Sequence, residues 1–292
     1  MASNLYVATI EAGSGKSLAV LGVMELLSSR VEKLGFFRPV VRAGDSLDND
    51  TELIRRRYLP NTPYESLHGV DHETARELTS SGRSEQLVKR IFARYKELER
   101  RCDFVLCEGT DFTGVSSAFE LDFNAEIASQ IGAPILLVAN ARAKEPGEAV
   151  DFLRAAHQSF RNLGCSLAAA ILNRVAPGEE ASITAQLDAQ WSPDVPVYVV
   201  PEHPALGRPT IATIARTLGA EVLHGEEEQL NQEVLAYKVG AMQVARFLEH
   251  LEDGCLVITP GDRADVILSC LASLLAEEHP RIAGLLLTGG SK

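Results

Sequence analysis

Apolar runs recur along the chain with helix-period segments between them. The runs are Leu5 to Ile10, Phe36 to Val41, Phe104 to Cys107, Pro134 to Ala139, Leu167 to Leu172 and Pro196 to Val200. A short unbroken apolar run marks a strand covered on both faces, and alternation with helices predicts an α/β fold with a mostly parallel sheet and helices on both faces. The segment from Ser17 to about Leu34 carries Val20, Leu21, Met24, Leu27 and Val31 on one stripe, and it is expected to stop at Gly35. From Ser84, read as a cap, Leu87, Ile91, Tyr95 and Leu98 repeat at three and four residues through Arg101.

After a last αβ-like element ending at Leu223, the run Gly225-Glu226-Glu227-Glu228 turns the composition acidic. A domain boundary is expected there, giving residues 1–224 and 225–292. The second part holds a helical segment, a strand Cys255 to Thr259, the turn Pro260-Gly261-Asp262-Arg263, a helix of about Asp265 to Ala276 and a strand Ile282 to Leu287. Thr288-Gly289-Gly290 then follows a buried strand, a place where another element is normally fed, so this smaller α/β domain is expected to be truncated.

The stretch Thr9-Ile10-Glu11-Ala12-Gly13-Ser14-Gly15-Lys16-Ser17 lies between the first apolar run and the first helix, where a phosphate loop belongs. Gly13, Ser14 and Gly15 let backbone N–H groups turn toward an anion, Lys16 adds a mobile cation for the β/γ-phosphates, and Ser17 offers a hydroxyl to Mg²⁺. The first glycine of the usual pattern would fall at Ile10 and is missing. Glu108 ends the strand 103–107 and should emerge at the carboxyl edge of the sheet as a Mg²⁺ partner. Along the Asp-rich loop 44–51, Asp50 is the candidate for the metal, with capping of the following helix as the competing role. Arg38 could reach phosphate with a fixed, forked charge. Asn173, at the end of the strand 167–172, could read a purine edge, and Pro201 could lean on the base.

Composition narrows the rest. Of 292 residues, 40 are acidic and 28 basic, giving a formal charge of −12 with no basic block, which argues against nucleic-acid or anionic-membrane partners. The five cysteines form no C-x-x-C pair and read as reduced thiols in a cytoplasmic protein. His203 and the other histidines show no metal spacing, and no Ser/His/Asp arrangement indicates acyl chemistry. No apolar run approaches the ~18 residues of a membrane span.

On these residues, the region Thr9 to Pro201 resembles the dethiobiotin synthetase and cobyrinic acid a,c-diamide synthase group of P-loop proteins. The loop in that group has the length of Thr9 to Ser17. Its Tyr-Lys-Pro-Val corresponds to Phe37-Arg38-Pro39-Val40, its metal Asp to Asp50, its Glu-Gly to Glu108-Gly109 and its adenine-contacting Asn to Asn173. Two positions depart: Thr110-Asp111-Phe112 replaces a glycine-rich tail, and Glu11 stands where related partition ATPases carry a signature lysine. Gly240-Ala241-Met242, Leu256 to Val266 and Leu285 to Gly290 look like a DRTGG domain. A P-loop domain followed by DRTGG is similar to the amino-terminal half of long bacterial phosphate acetyltransferases. That resemblance implies a regulatory region that binds ATP or another purine nucleotide with Mg, responds to a nucleotide or metabolite effector, and serves a carboxy-terminal catalytic domain of the same polypeptide in a homo-oligomer. No catalytic residue is then expected here. A free-standing ATP-dependent ligase of the dethiobiotin synthetase type is the alternative.

Overall fold

The computed structural model describes residues 2–42, 47–110, 117–275 and 279–289, and the chain forms two units, residues 1–202 and 203–292. Gly44, Asp45 and Ser46 of the Asp-rich loop, Asp111-Phe112 and Gly290 lie outside the described residues.

The first unit carries strands β1 (Ser3–Ala8), β2 (Leu34–Val41), β3 (His68–Asp71), β4 (Phe104–Glu108), β5 (Ile135–Asn140), β6 (Leu167–Val175) and β7 (Val197–Pro201). They lie in the order β3-β2-β4-β1-β5-β6-β7, and every pairing is parallel. Helices α1 (Lys16–Ser28), α2 (Asn49–Tyr58), α3 (His72–Ser80), α4 (Ser84–Glu99), α5 (Ser117–Ile131), α6 (Pro146–Asn162) and α7 (Glu180–Gln190) fill the connections. The unbroken apolar runs have a simple cause. Val7, Phe36, Leu106 and Val138 pack toward Val20 and Met24 of α1 and Ile54 of α2, while Tyr6, Phe37, Cys107 and Leu137 join a core with Ile91, Phe123, Leu153 and Ile183. Successive residues of one strand thus enter opposite cores, and both must be apolar.

The first helix is shorter than the stripe predicts. It ends at Ser28, where the Ser28 and Ser29 hydroxyls donate to the carbonyls of Glu25 at 2.8 Å and Leu26 at 3.1 Å and compete with continued helical bonding. Gly35, read as the helix stop, lies inside β2: a Cβ there would come within 2.7 Å of Cys102 Sγ, so the glycine permits close packing. Ser84 is the first residue of α4 rather than its cap, since Arg83 holds that position.

The second unit has strands β8 (Ala236–Val239), β9 (Cys255–Pro260) and β10 (Gly284–Thr288) in the parallel order β10-β9-β8, with α8 (Ile211–Leu218), α9 (Glu227–Leu230), α10 (Val244–Leu248) and α11 (Ala264–Leu275). Phe247, Leu251, Val257, Val266, Cys270 and Ile282 form its core. All five cysteines are free. Among the described residues, no helix is long and apolar enough to cross a membrane.

Candidate functional site

Because β1 lies between β4 and β5, the loop that follows it opens at the carboxyl edge where the chain switches direction across the sheet. Gly13 and Gly15 hold φ values of 73° and 83°, the left-handed region that glycine enters without a Cβ penalty. Gly15 caps α1 and has no side chain to occupy the first amides of the helix, so these face the loop's hollow. A Cβ on Gly15 would overlap the Asn173 amide, which donates to the Ser14 carbonyl at 2.8 Å. Asn173 therefore braces the loop from behind. Pro201 is exposed at the end of β7, in a strand pairing with Val175.

Lys16 is 4% exposed and its ammonium donates to the Gly109 carbonyl at the end of β4. The Ser17 hydroxyl lies 2.8 Å from Asp50 Oδ2 and 3.2 Å from Glu108 Oε1; having one proton, it serves one carboxylate at a time. Glu108 is fully buried. Arg38 points into the same cluster, 2.9 Å from Asp48 Oδ1, 3.4 Å from Asp50 Oδ2 and 3.8 Å from Glu108 Oε2. Three carboxylates thus face the Arg38 guanidinium.

In the Asp-rich loop, capping falls on Asp48 and not on Asp50. Asp48 caps α2, accepting from Thr51 N at 3.0 Å and Thr51 Oγ1 at 2.9 Å, while Asp50, in the first turn, turns to Ser17. Burial pushes the Asp48 carboxyl up, but Arg38 and the Thr51 hydrogen bonds outweigh it and hold the pKa below the usual range. Asp48 also receives the Arg38 ion pair, a function the sequence pattern did not assign.

Ser17, Asp50 and Glu108 offer only oxygen donors, the chemistry of a hard divalent cation. Among the described residues no group of three His, Cys, Asp or Glu side chains could hold a metal; two carboxylates and a hydroxyl are a donor set that could hold part of a Mg²⁺ shell.

Glu11 has a structural explanation. Its carboxylate accepts from Asn140 N at 3.1 Å and from Lys144 Nζ at 3.2 Å, and Lys144 also donates to the Asn140 carbonyl and lies over the Phe152 ring. The loop is thereby latched to the end of β5. Asn124 of α5 is a second residue the sequence pattern missed. It accepts from Tyr6 OH and Thr110 N and donates to the carbonyls of Thr110 and Glu120, fixing the segment that carries Gly109. A Cβ on Gly109 would stand 2.8 Å from Asn124 Oδ1 and 2.9 Å from the Val7 carbonyl. A lone asparagine in an apolar helical stretch was the available signal.

Residues 3–232 match the AAA domain family and residues 213–292 the DRTGG domain. Phosphate acetyltransferases are among the relatives. That of Nitratidesulfovibrio vulgaris is 42% identical over 296 residues and that of Synechocystis 36% over 293, each alignment taking in 99% of this chain and 42% of the relative. The Deinococcus radiodurans enzyme is 28% identical, with 98% of this chain and 41% of the relative aligned. The chain thus spans about two-fifths of the relatives it matches. Similar solved structures include a Cyanothece McdA–ATP complex, with 19% identity, 77% of this chain and 99% of that chain covered, and TM-score 0.42. A Borrelia burgdorferi plasmid partition protein bound to AMPPNP has 14% identity, 70% and 89% coverage, and TM-score 0.46.

Proposed function

The chain belongs to the AAA domain family, and on that premise we propose that it is a nucleotide-binding regulatory region of a phosphate acetyltransferase. It binds ATP or another purine nucleoside triphosphate with Mg²⁺ between the phosphate loop and the ends of β4 and β6. The observation that carries this reading is the cluster, built on the buried Lys16 and Glu108, in which Lys16 meets Gly109 and Ser17 meets Glu108 and Asp50 across three segments distant in sequence. Buried charges are costly and persist where they are paired and used.

The chain's own residues divide the work. Backbone amides of the loop and of the α1 start receive phosphate oxygens, and Lys16 exchanges the Gly109 carbonyl for phosphate. Arg38 stabilises the acidic face, and Asn173 sets the loop's curvature. Ser17, Asp50 and Glu108 would hold Mg²⁺, which when bound would supply charge neutralisation to the terminal phosphates. Conversion of acetyl-CoA and phosphate to acetyl phosphate and CoA belongs to a carboxy-terminal domain of the longer polypeptide. A nucleotide regulates it by binding one conformation more tightly than another, with a typical coupling of about 1 to 3 kcal/mol.

Calorimetry of the chain with Mg-ATP should show binding, and Lys16→Ala should weaken it roughly tenfold to a hundredfold through loss of a charge-assisted contact. Absence of binding, or equal binding by both forms, sinks the nucleotide site. Acetyl-CoA formation from acetyl phosphate and CoA by the purified chain should equal the buffer blank. In the longer enzyme, nucleotides should shift activity or substrate affinity, and removal of this region should abolish that response. If both forms respond alike, the regulatory reading falls.

A further inference from the structure

Two non-glycine residues among those described hold φ clearly above zero, Ala143 at 58° and Arg174 at 59°, and both lie at the carboxyl edge of the large sheet, after β5 and at the end of β6. Arg174 is placed there by a further device. On β6 the register steps from Leu172, opposite Val199, to Val175, opposite Pro201, so that three residues of β6 span two of β7. This bulge takes Asn173 and Arg174 out of register with β7, while Asn173 stays paired with Asn140 of β5, and it re-aims their side chains. Asn173 goes to the phosphate loop, where its amide donates to the Ser14 carbonyl. Arg174 reaches the loop beside it: its Nε stands 3.9 Å from where a Cβ on Gly15 would be.

The guanidinium is half-buried, and among the described residues it makes no hydrogen bond or ion pair. In a chain with 40 acidic residues against 28 basic ones, a cation this close to Gly15 with no carboxylate beside it is left by the fold to an anion from outside. A left-handed backbone at a long side chain is strained, and such strain persists where surrounding structure enforces it, often at binding sites.

The strand order says which part of a ligand it meets. Ser17, Lys16, Glu108 and Gly109 mark the β4 side of the loop, where the cation and terminal phosphates belong in the reading above. β6 lies on the other side of β1, beyond β5. We infer that Arg174 binds the α-phosphate, the phosphate next to the nucleoside and common to di- and triphosphates. The inference rests on the proposed nucleotide site and adds to it a second cation acting at the opposite end of the phosphate chain from Lys16.

The test is calorimetric titration of the chain with ADP and with ATP in Mg²⁺, for the unaltered protein and for Arg174→Ala, Arg174→Lys and Arg174→Gly. Arg174→Ala should weaken both nucleotides alike, by about tenfold or more, and Arg174→Lys should recover part of the loss. Arg174→Gly should weaken both while keeping or raising the thermal midpoint, because glycine relieves the left-handed strain. That divergence separates a ligand contact from a packing role. If the unaltered chain binds nucleotide and the variants bind equally well, or if only ATP is weakened, the α-phosphate contact is overturned. If the unaltered chain binds neither nucleotide, the site reading it rests on falls with it.

Discussion

The chain contains two parallel sheets whose carboxyl edges are treated in opposite ways. At the edge of the large sheet, Lys16, Arg38, Asp48 and Glu108 are all under a tenth exposed, and Arg174 is half-buried without a carboxylate partner. At the edge of the small sheet, Arg263 closes on its own surroundings. It grips Asp265 with two bonds of 2.8 and 2.9 Å and donates to the carbonyls of Met242 at 2.9 Å and Gly240 at 3.4 Å. The same strand direction and the same helix polarity therefore yield two outcomes. What decides between them is whether the fold supplies an internal partner for each charge: among the described residues, Arg263 has one and Arg174 does not.

The sharpest way to break this contrast is to remove the partner on which the buried side depends. Asp48→Ala strips Arg38 of the carboxylate 2.9 Å away and α2 of its cap, and should destabilise the first unit by about 3 to 5 kcal/mol. Trp191, the chain's one tryptophan, lies in that unit, so urea unfolding followed by its fluorescence reads the loss directly. Next in size, Gly109→Ala forces a methyl against Asn124 Oδ1 and the Val7 carbonyl and should cost about 1 to 3 kcal/mol by the same measurement.

Acid should act more gently and with a defined sign. Since the folded state holds the Asp48 pKa low, its contribution is complete above the ordinary aspartate range and is lost as the pH falls through the depressed folded value. Tryptophan-monitored stability should decline in that acidic window, and less so in Asp48→Asn. The smallest effect belongs to the second edge: Arg263→Ala removes a solvent-screened pair and should leave the Trp191 transition and nucleotide titrations unmoved. A large response of nucleotide binding to Arg263→Ala would erase the distinction between the two edges.

What the sequence disclosed follows from how local each cause is. Gly13, Gly15, Lys16 and Ser17 were legible because each has a residue-specific task within one turn of backbone. Glu108 and Asp50 were legible because a strand end and a helix first turn place them. Arg174 depends on a bulge that exists only once β6 pairs with β7, and Lys144 depends on Glu11, 133 residues earlier. Gly35 misled because glycine serves both as a helix stop and as a site of close approach. The strands β3 and β8 were missed because each has only four residues, with His68, Asp71 and Lys238 diluting the apolar signal.

The placement of β1 has a consequence for synthesis. The strand that carries the phosphate loop is made before its neighbours β4 and β5, and Val7 pairs with Glu108 about a hundred residues later. At a translation rate of roughly 5 to 20 residues per second, the nascent chain waits about 5 to 20 s before that pairing is available. Until then both ladders of β1 are open, and the loop has neither Glu108 nor the Gly109 carbonyl to hold it. On the ribosome, the loop's anchoring therefore arrives late and in stages, first with the emergence of β4 and then with β5 and β6.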